Sequence, residues 1–265
     1  MRFRRFGSVD GWRLLPLAGR YYINKLHHNF IVWVMKPIIH LVNKSLWRSN
    51  YNLKMEMQRR ATVKTLDYIE EKMDTAEYFD THYLLLDFFC DSLVDEDGLI
   101  LEFGVWKGAS INRIALMKSK KTIYGFDSFK GLPEDWRIDV KKDAFKLNAL
   151  PKTFPNVKLI EGLFEDTLPD FLNEHGEHAA FIHIDSDLYS SAAVILKSLR
   201  DRIVPATIIV FDEYFNFIDW QNGEYKAFRE FSELNNVKYK YIGYSNQSVA
   251  IKIVGHSVSQ DHIIN

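Results

Sequence analysis

The period of apolar and polar positions changes several times along this chain, and each change marks an element. From Lys54 to about Asp91, Met55, Met57, Val63, Leu66, Ile69 and Met73 recur at mixed spacings of three and four among charges, the pattern of helices with one buried face. A second helix is predicted from about Ala76 or Thr81 through Leu93, followed by a polar turn at Asp95–Gly98. Short apolar runs then take over: the run opening at Leu99, then Thr122–Asp127, Val157–Gly162, Ala179–Asp185 and Thr207–Asp212. Helical stretches at Ile111–Lys118, Leu168–His175 and Leu188–Arg202 alternate with them, which implies parallel strands joined by crossovers. Lys130–Phe154 holds Gly131, Pro133 and Pro151 and reads as an irregular loop with room for one short helix. Glu224–Asn235 is again helical, while Tyr239–Tyr244 and Ser248–Val254 flank a short polar turn and pair as an antiparallel hairpin at one sheet edge.

The expected fold is therefore α/β: a mostly parallel, Rossmann-like sheet with a C-terminal antiparallel hairpin, helices on both faces and an N-terminal helical arm. Three parts follow from the pattern: an arm over 1–50, a helical region over 51–97 packing on or lidding the core, and a ligand-binding domain over 98–265.

Composition changes this picture mainly at the N-terminus. The 265 residues are 47% hydrophobic and 26% charged, with a net charge of −1, an ordinary globular balance that argues against wholesale nucleic-acid binding. Residues 1–50 nevertheless hold nine Lys or Arg and one acid, Asp10, so the arm carries about +8 and the remainder about −9. Its densest apolar run, Phe30–Val42, is interrupted by Lys36, Pro37 and His40 and is too short to span a bilayer. No small-residue cleavage site marks a signal peptide. Two readings stay open: peripheral contact with anionic lipid, or a helical arm packing on this domain or on a second subunit of a homo-oligomer. The single cysteine, Cys90, in an apolar context, fits a reduced cytoplasmic protein with a buried thiol.

Candidate chemistry gathers at the ends of the apolar runs. Leu99–Ser110 ends in Glu102, Gly104 and Gly108 before a helix begins; glycine lets a ligand approach the backbone and permits positive φ, and helix N-terminal amides point into the same crevice. Asp127 ends the next strand, where a carboxylate can accept both hydroxyls of a ribose; on its own it also reads as a helix cap. The full G-x-G-x-x-G spacing is missing, which favours a nucleoside without pyrophosphate. A second group is acidic: Asp185 and Asp187 follow one strand, and Asp212 and Glu213 the next. Carboxylates so close need a cation or protonation, and hard oxygen donors suit Mg²⁺. Asp187 reads equally as a cap for the following helix. His183, two residues before Asp185, is a competing base whose apolar setting points to a buried, hydrogen-bonded side chain. The aromatic stretch Tyr214–Gly223 reads as an acceptor-pocket wall or as loop packing.

Four segments together, Leu101–Ser110, Tyr124–Trp136, Phe181–Tyr189 and Val210–Tyr214, resemble the macrocin O-methyltransferase (TylF/MycF) family in consistent order over about residues 95–250. The resemblance implies a class I S-adenosylmethionine methyltransferase fold, a divalent cation, usually Mg²⁺, and methylation of a hydroxyl on a sugar or other polyhydroxylated acceptor, small molecule or glycan. It implies that Glu102, Gly104 and Gly108 line the methionine side of the cofactor, that Asp127 with Ser128 beside it meets the ribose, and that Gly162, Phe164 and Glu165 lie near the adenine. Asp185, Asp212 and Glu213 match the family's metal acids, with glutamate at 213 where aspartate is usual. Asp185 is the expected base: the sulfonium methyl is already electrophilic, so the protein aligns it and makes an alcohol nucleophilic. Alternatives from other classes are an NAD-type oxidoreductase and a non-catalytic cofactor-fold subunit recruited through its basic arm to a membrane or complex.

Overall fold

The computed structural model describes residues 33–41, 44, 52–93, 97–137 and 140–256. The chain forms two compact units, Met1–Met57 and Gln58–Asn265. Of the basic arm, residues 33–41 form helix α1, with Trp33, Ile38, Ile39 and Leu41 exposed; most of the arm, and with it the lipid and second-subunit readings, lies outside the described residues. No helix among the described residues is long and apolar enough to cross a membrane.

The elements run α2 (Leu53–Lys72), β1 (Glu77–Tyr78), α3 (His82–Asp91), β2 (Leu99–Phe103), α4 (Ala109–Met117), β3 (Ile123–Asp127), β4 (Val157–Glu161), α5 (Phe164–Glu174), β5 (Ala179–Ile184), α6 (Tyr189–Ser198), β6 (Ile208–Phe211), α7 (Glu224–Leu234), β7 (Val237–Tyr244) and β8 (Val249–His256). One sheet holds all eight strands in the order β1-β7-β8-β6-β5-β2-β3-β4. Pairs from β4 to β6 are parallel, and β8 is antiparallel to both β6 and β7, which gives the mostly parallel α/β architecture that the alternation of runs predicts.

Central strands β2, β5 and β6 are buried at every position, because helices cover both faces and leave no side for polar residues. On one face Leu101, Phe103, Ile182, Ile184 and Phe211 pack with Phe171 of α5, Ile195 of α6 and Phe228 of α7. On the other Ile100, Phe181 and Val210 meet Leu86 and Phe89 of α3 and Ile111 and Ile114 of α4. Edge strand β4 is only half buried and carries Lys158, a charge that discourages further pairing. Cys90 is buried in the second cluster, and burial pushes its thiol up to about 12.

Four differences from the sequence pattern have physical reasons. Helix α5 begins at Phe164, one turn before Leu168, with Glu165 and Asp166 in its first turn, where acids suit the helix dipole. The stretch to Arg202 closes in a 3₁₀ turn, Arg200–Arg202, after α6 ends. Lys130–Phe154 contains no helix among the described residues, only a bridge between Arg137 and Val140. The hairpin does not form the sheet edge, since β1 pairs parallel to the outer side of β7; two residues are too few to show any period.

Candidate active site

The carboxyl ends of β2, β3, β4 and β5 surround a cavity of about 250 Å³ lined by Gly104, Asp127, Gly162, Phe164, Asp185 and Asp187 among others. Two turns shape it. Gly104 has φ 94°, and a Cβ there would stand 1.7 Å from the carbonyl oxygen of Asp185. The space this glycine leaves is thus occupied by the neighbouring strand's backbone, a different reason from the ligand approach expected of it. Gly108, φ 80°, caps α4 in the left-handed conformation and does not line the cavity.

Asp127 fastens the turn. Its Oδ2 accepts from the backbone amides of Val105 (2.9 Å) and Trp106 (2.7 Å), and its Oδ1 from that of Phe129 (2.7 Å). The carboxylate lines the cavity; the two amides take both lone pairs of Oδ2, and Oδ1 keeps one for a ligand hydroxyl. Ser128 lies beside it, donating to the Gly131 carbonyl and accepting from the Lys130 amide. Gly162, Phe164 and Glu165 line the same cavity, with the Phe164 ring edge-on to Phe103.

Glu102 is not on the cavity surface. It is fully buried, accepting from Ser110 Oγ at 2.9 Å and facing His183 Nδ1 at 3.1 Å. This burial runs against the expectation that Glu102 lines the cofactor: β2 turns this side chain toward α4 and β5. His183 is 1% exposed. Burial of its ring opposes protonation, yet the hydrogen bond and charge of Glu102, with Asp212 behind them, outweigh burial and raise its pKa.

Asp185, Asp187 and Glu213 offer carboxylate oxygens that all lie within 4.8 Å of one another, and all three line the cavity. Burial first, then the neighbouring acids, pushes Asp185 and Glu213 well above the usual carboxylate range and Asp187 up to about 6. Glu213 Oε2 is buried without a hydrogen-bond partner. These are the marks of a cation-binding set: hard oxygen donors, converging, with their charges unresolved. Asp212, expected in the set, is not brought into it. Its Oδ1 accepts from Ser248 Oγ of the β7–β8 turn at 3.1 Å, while its charge still acts on Asp185. Asp187 takes its place. Its backbone is left-handed (φ 62°), and its carboxylate faces Glu213 rather than capping α6, whose cap position is Leu188.

Further participants carried no clear sequence signal. Glu224, in the first turn of α7, is fully buried between the two acid-bearing loops. Arg137 lies over the rings of Trp136 (3.5 Å) and Phe217 (4.2 Å), with Nη2 4.0 Å from Glu213 Oε1. Tyr214, Phe215 and Trp220 are core residues, so the aromatic stretch after β6 is loop packing rather than a pocket wall. Trp106 and Trp136 do line the cavity.

Residues 101–214 match the sequence profile of a family described as "Methyltransferase domain". Among curated proteins none matches the chain. Among solved structures, the calicheamicin methyltransferase CalS11 aligns with a TM-score of 0.55 at 20% identity, over 76% of this chain and 93% of that one. The O-methyltransferase NovP aligns with a TM-score of 0.50 at 18% identity, over 65% of this chain and 79% of its own. At such identities the likeness is one of fold.

Proposed function

Because this chain has the class I methyltransferase fold and carries a methyltransferase domain, we propose that it is a metal-dependent S-adenosylmethionine O-methyltransferase acting on a hydroxyl of a sugar or other polyhydroxylated acceptor. The observation that carries this reading is the convergence of Asp185, Asp187 and Glu213 on the cavity that the Asp127 turn also lines. The likeness to NovP, an O-methyltransferase, and to CalS11, a TDP-rhamnose 3′-O-methyltransferase, supports the reaction class and the sugar acceptor.

In this reading Asp127 accepts from the cofactor ribose while its amide contacts keep the β2–α4 turn closed. Gly104, Gly162 and Phe164 wall the cofactor, and Glu102 braces the turn from below through Ser110. Asp185, Asp187 and Glu213 hold a divalent cation: their oxygens converge, and Glu213 Oε2 has no other partner. Such a cation supplies Lewis acidity that makes an acceptor hydroxyl easier to ionise. Asp185, which follows β5 and lines the cavity, takes the hydroxyl proton. The buried walls align oxygen, methyl carbon and sulfur and keep water from the reacting atoms.

An NAD-type oxidoreductase fits less well. The described residues that line the cavity include five carboxylates and no Lys or Arg, a poor cradle for a pyrophosphate.

Calorimetry with S-adenosylmethionine and S-adenosylhomocysteine, and turnover on nucleotide-linked and free sugars with chelator or Mg²⁺, test the proposal. Micromolar-range cofactor binding and turnover abolished by chelator are expected. Binding of neither cofactor form would overturn the reading as a methyltransferase, and undiminished turnover in chelator would overturn the metal.

A further inference from the structure

Three carboxylates crowded at one cavity repel one another, so something must hold the two loops that present them. Asp185 and Asp187 flank Ser186 on the loop after β5, and Glu213 lies on the loop after β6. One side chain reaches both. Glu224 of α7, buried to 0% exposure, accepts through Oε1 from the backbone amide of Ser186 at 3.2 Å, with Ser186 Oγ at 3.4 Å, and through Oε2 from the backbone amide of Glu213 at 3.3 Å. We propose that Glu224 is a positioning residue that clamps the two acid-bearing loops together and so sets the spacing of the metal-binding carboxylates.

The choice of side chain follows from the geometry. Both groups facing Glu224 are backbone N–H donors, so the clamp needs an acceptor at each end of a side chain of this length. A carboxyl group presents an oxygen with a lone pair at each end whether or not it holds a proton; glutamine turns an N–H toward an N–H at one end. Aspartate has the acceptors but is one methylene shorter and reaches only one loop. A helix-dipole role alone does not require burial, for an exposed acid in the first turn serves it equally. An acid kept in the interior beside three others is costly unless its oxygens are used, and both oxygens of Glu224 are used on the same two loops.

The proposal rests on the reading of the acids as a cation site, and the test keeps the two apart. In the full-length protein, Glu224→Gln and Glu224→Asp are compared with the parent chain by calorimetry with Mn²⁺, calorimetry with S-adenosylhomocysteine and amide hydrogen exchange at Ser186 and Glu213. Glu224→Gln is expected to weaken Mn²⁺ binding at least about tenfold. It should weaken S-adenosylhomocysteine binding far less than Mn²⁺ binding, since the hydrogen bonds of Glu224 go to the two acid-bearing loops. It should also speed exchange about tenfold or more at the one amide that the new NH₂ faces, while strand amides of β5 and β6 are unchanged. Glu224→Asp, which keeps one loop, should speed exchange at one amide only. Unchanged exchange at both amides in Glu224→Gln would overturn the clamp, as would parallel weakening of both ligands with faster exchange throughout the sheet, which marks a general structural role. If the parent chain itself binds no Mn²⁺, the cation reading fails, while the exchange result still decides whether Glu224 holds the two loops.

Discussion

Gly104 and Asp185 compete for one volume: a Cβ on Gly104 would stand 1.7 Å from the Asp185 carbonyl oxygen. The turn after β2 and the loop after β5 are thereby in direct backbone contact. Gly104→Ala adds this clash to a φ of 94°, and the two together are expected to cost about 3 kcal/mol or more. Urea unfolding reads the loss. If the variant matches the parent in midpoint, the tight fit between these strands does not constrain the site.

Asp127→Ala removes the acceptor for three backbone amides. Without ligand the variant should be less stable by about 2 kcal/mol, and calorimetry should show S-adenosylhomocysteine affinity lowered well beyond what that instability explains. Loss of stability with intact affinity would mean that Asp127 only ties the turn.

Asp187 and Asp212 exchange places relative to what the sequence suggests. Asp187→Asn and Glu213→Gln are expected to lower Mg²⁺-dependent turnover about a hundredfold or more, and Asp212→Asn, whose carboxylate faces Ser248, only about tenfold. Steady-state assays across a Mg²⁺ series give the ranking; the reverse order would return Asp212 to the ligand set.

Stability should fall with rising pH when no cation is present. Burial, with Asp187 and Asp212 adding to it against the Ser186 amide, moves Glu224 from its ordinary 4.5 to about 8. Between those values the folded chain keeps a proton that the unfolded chain has lost, so unfolding becomes easier as pH rises through the window. Asp187, moved from 3.8 to about 6, acts in the same direction over a lower range. His183, with its pKa raised, also contributes stability that is lost as pH climbs through its folded value. Thermal unfolding from about pH 5 to about pH 8 in chelator should show a declining Tm, and excess Mg²⁺ should flatten the slope. Identical slopes would speak against a cation at these acids.

Much of this was legible in the chain. Strands buried on both faces leave uninterrupted apolar runs, and runs ending in Glu102, Asp127 and Asp185 marked which end of the sheet carries chemistry. The choice among neighbouring acids was not legible. Asp212 and Glu213 are adjacent, and the Ser248 contact that one of them makes comes from a turn far along the chain. Glu102 read as a ligand contact through the family resemblance, while its partners Ser110 and His183 become neighbours only once β2, α4 and β5 assemble. Glu224 was invisible for the opposite reason: an acid at a helix start is ordinary, and burial alone sets it apart.

Five carboxylates line the cavity, with the Arg137 guanidinium 4.0 Å from one of them, Glu213, and this excess of acid acts on the two forms of a sulfonium cofactor unequally. Methyl transfer turns a positively charged sulfur into a neutral thioether, so the field that draws the reactant in has no grip on the sulfur of what remains. Turnover itself then loosens the spent cofactor, and added salt should narrow the difference in affinity between the two forms.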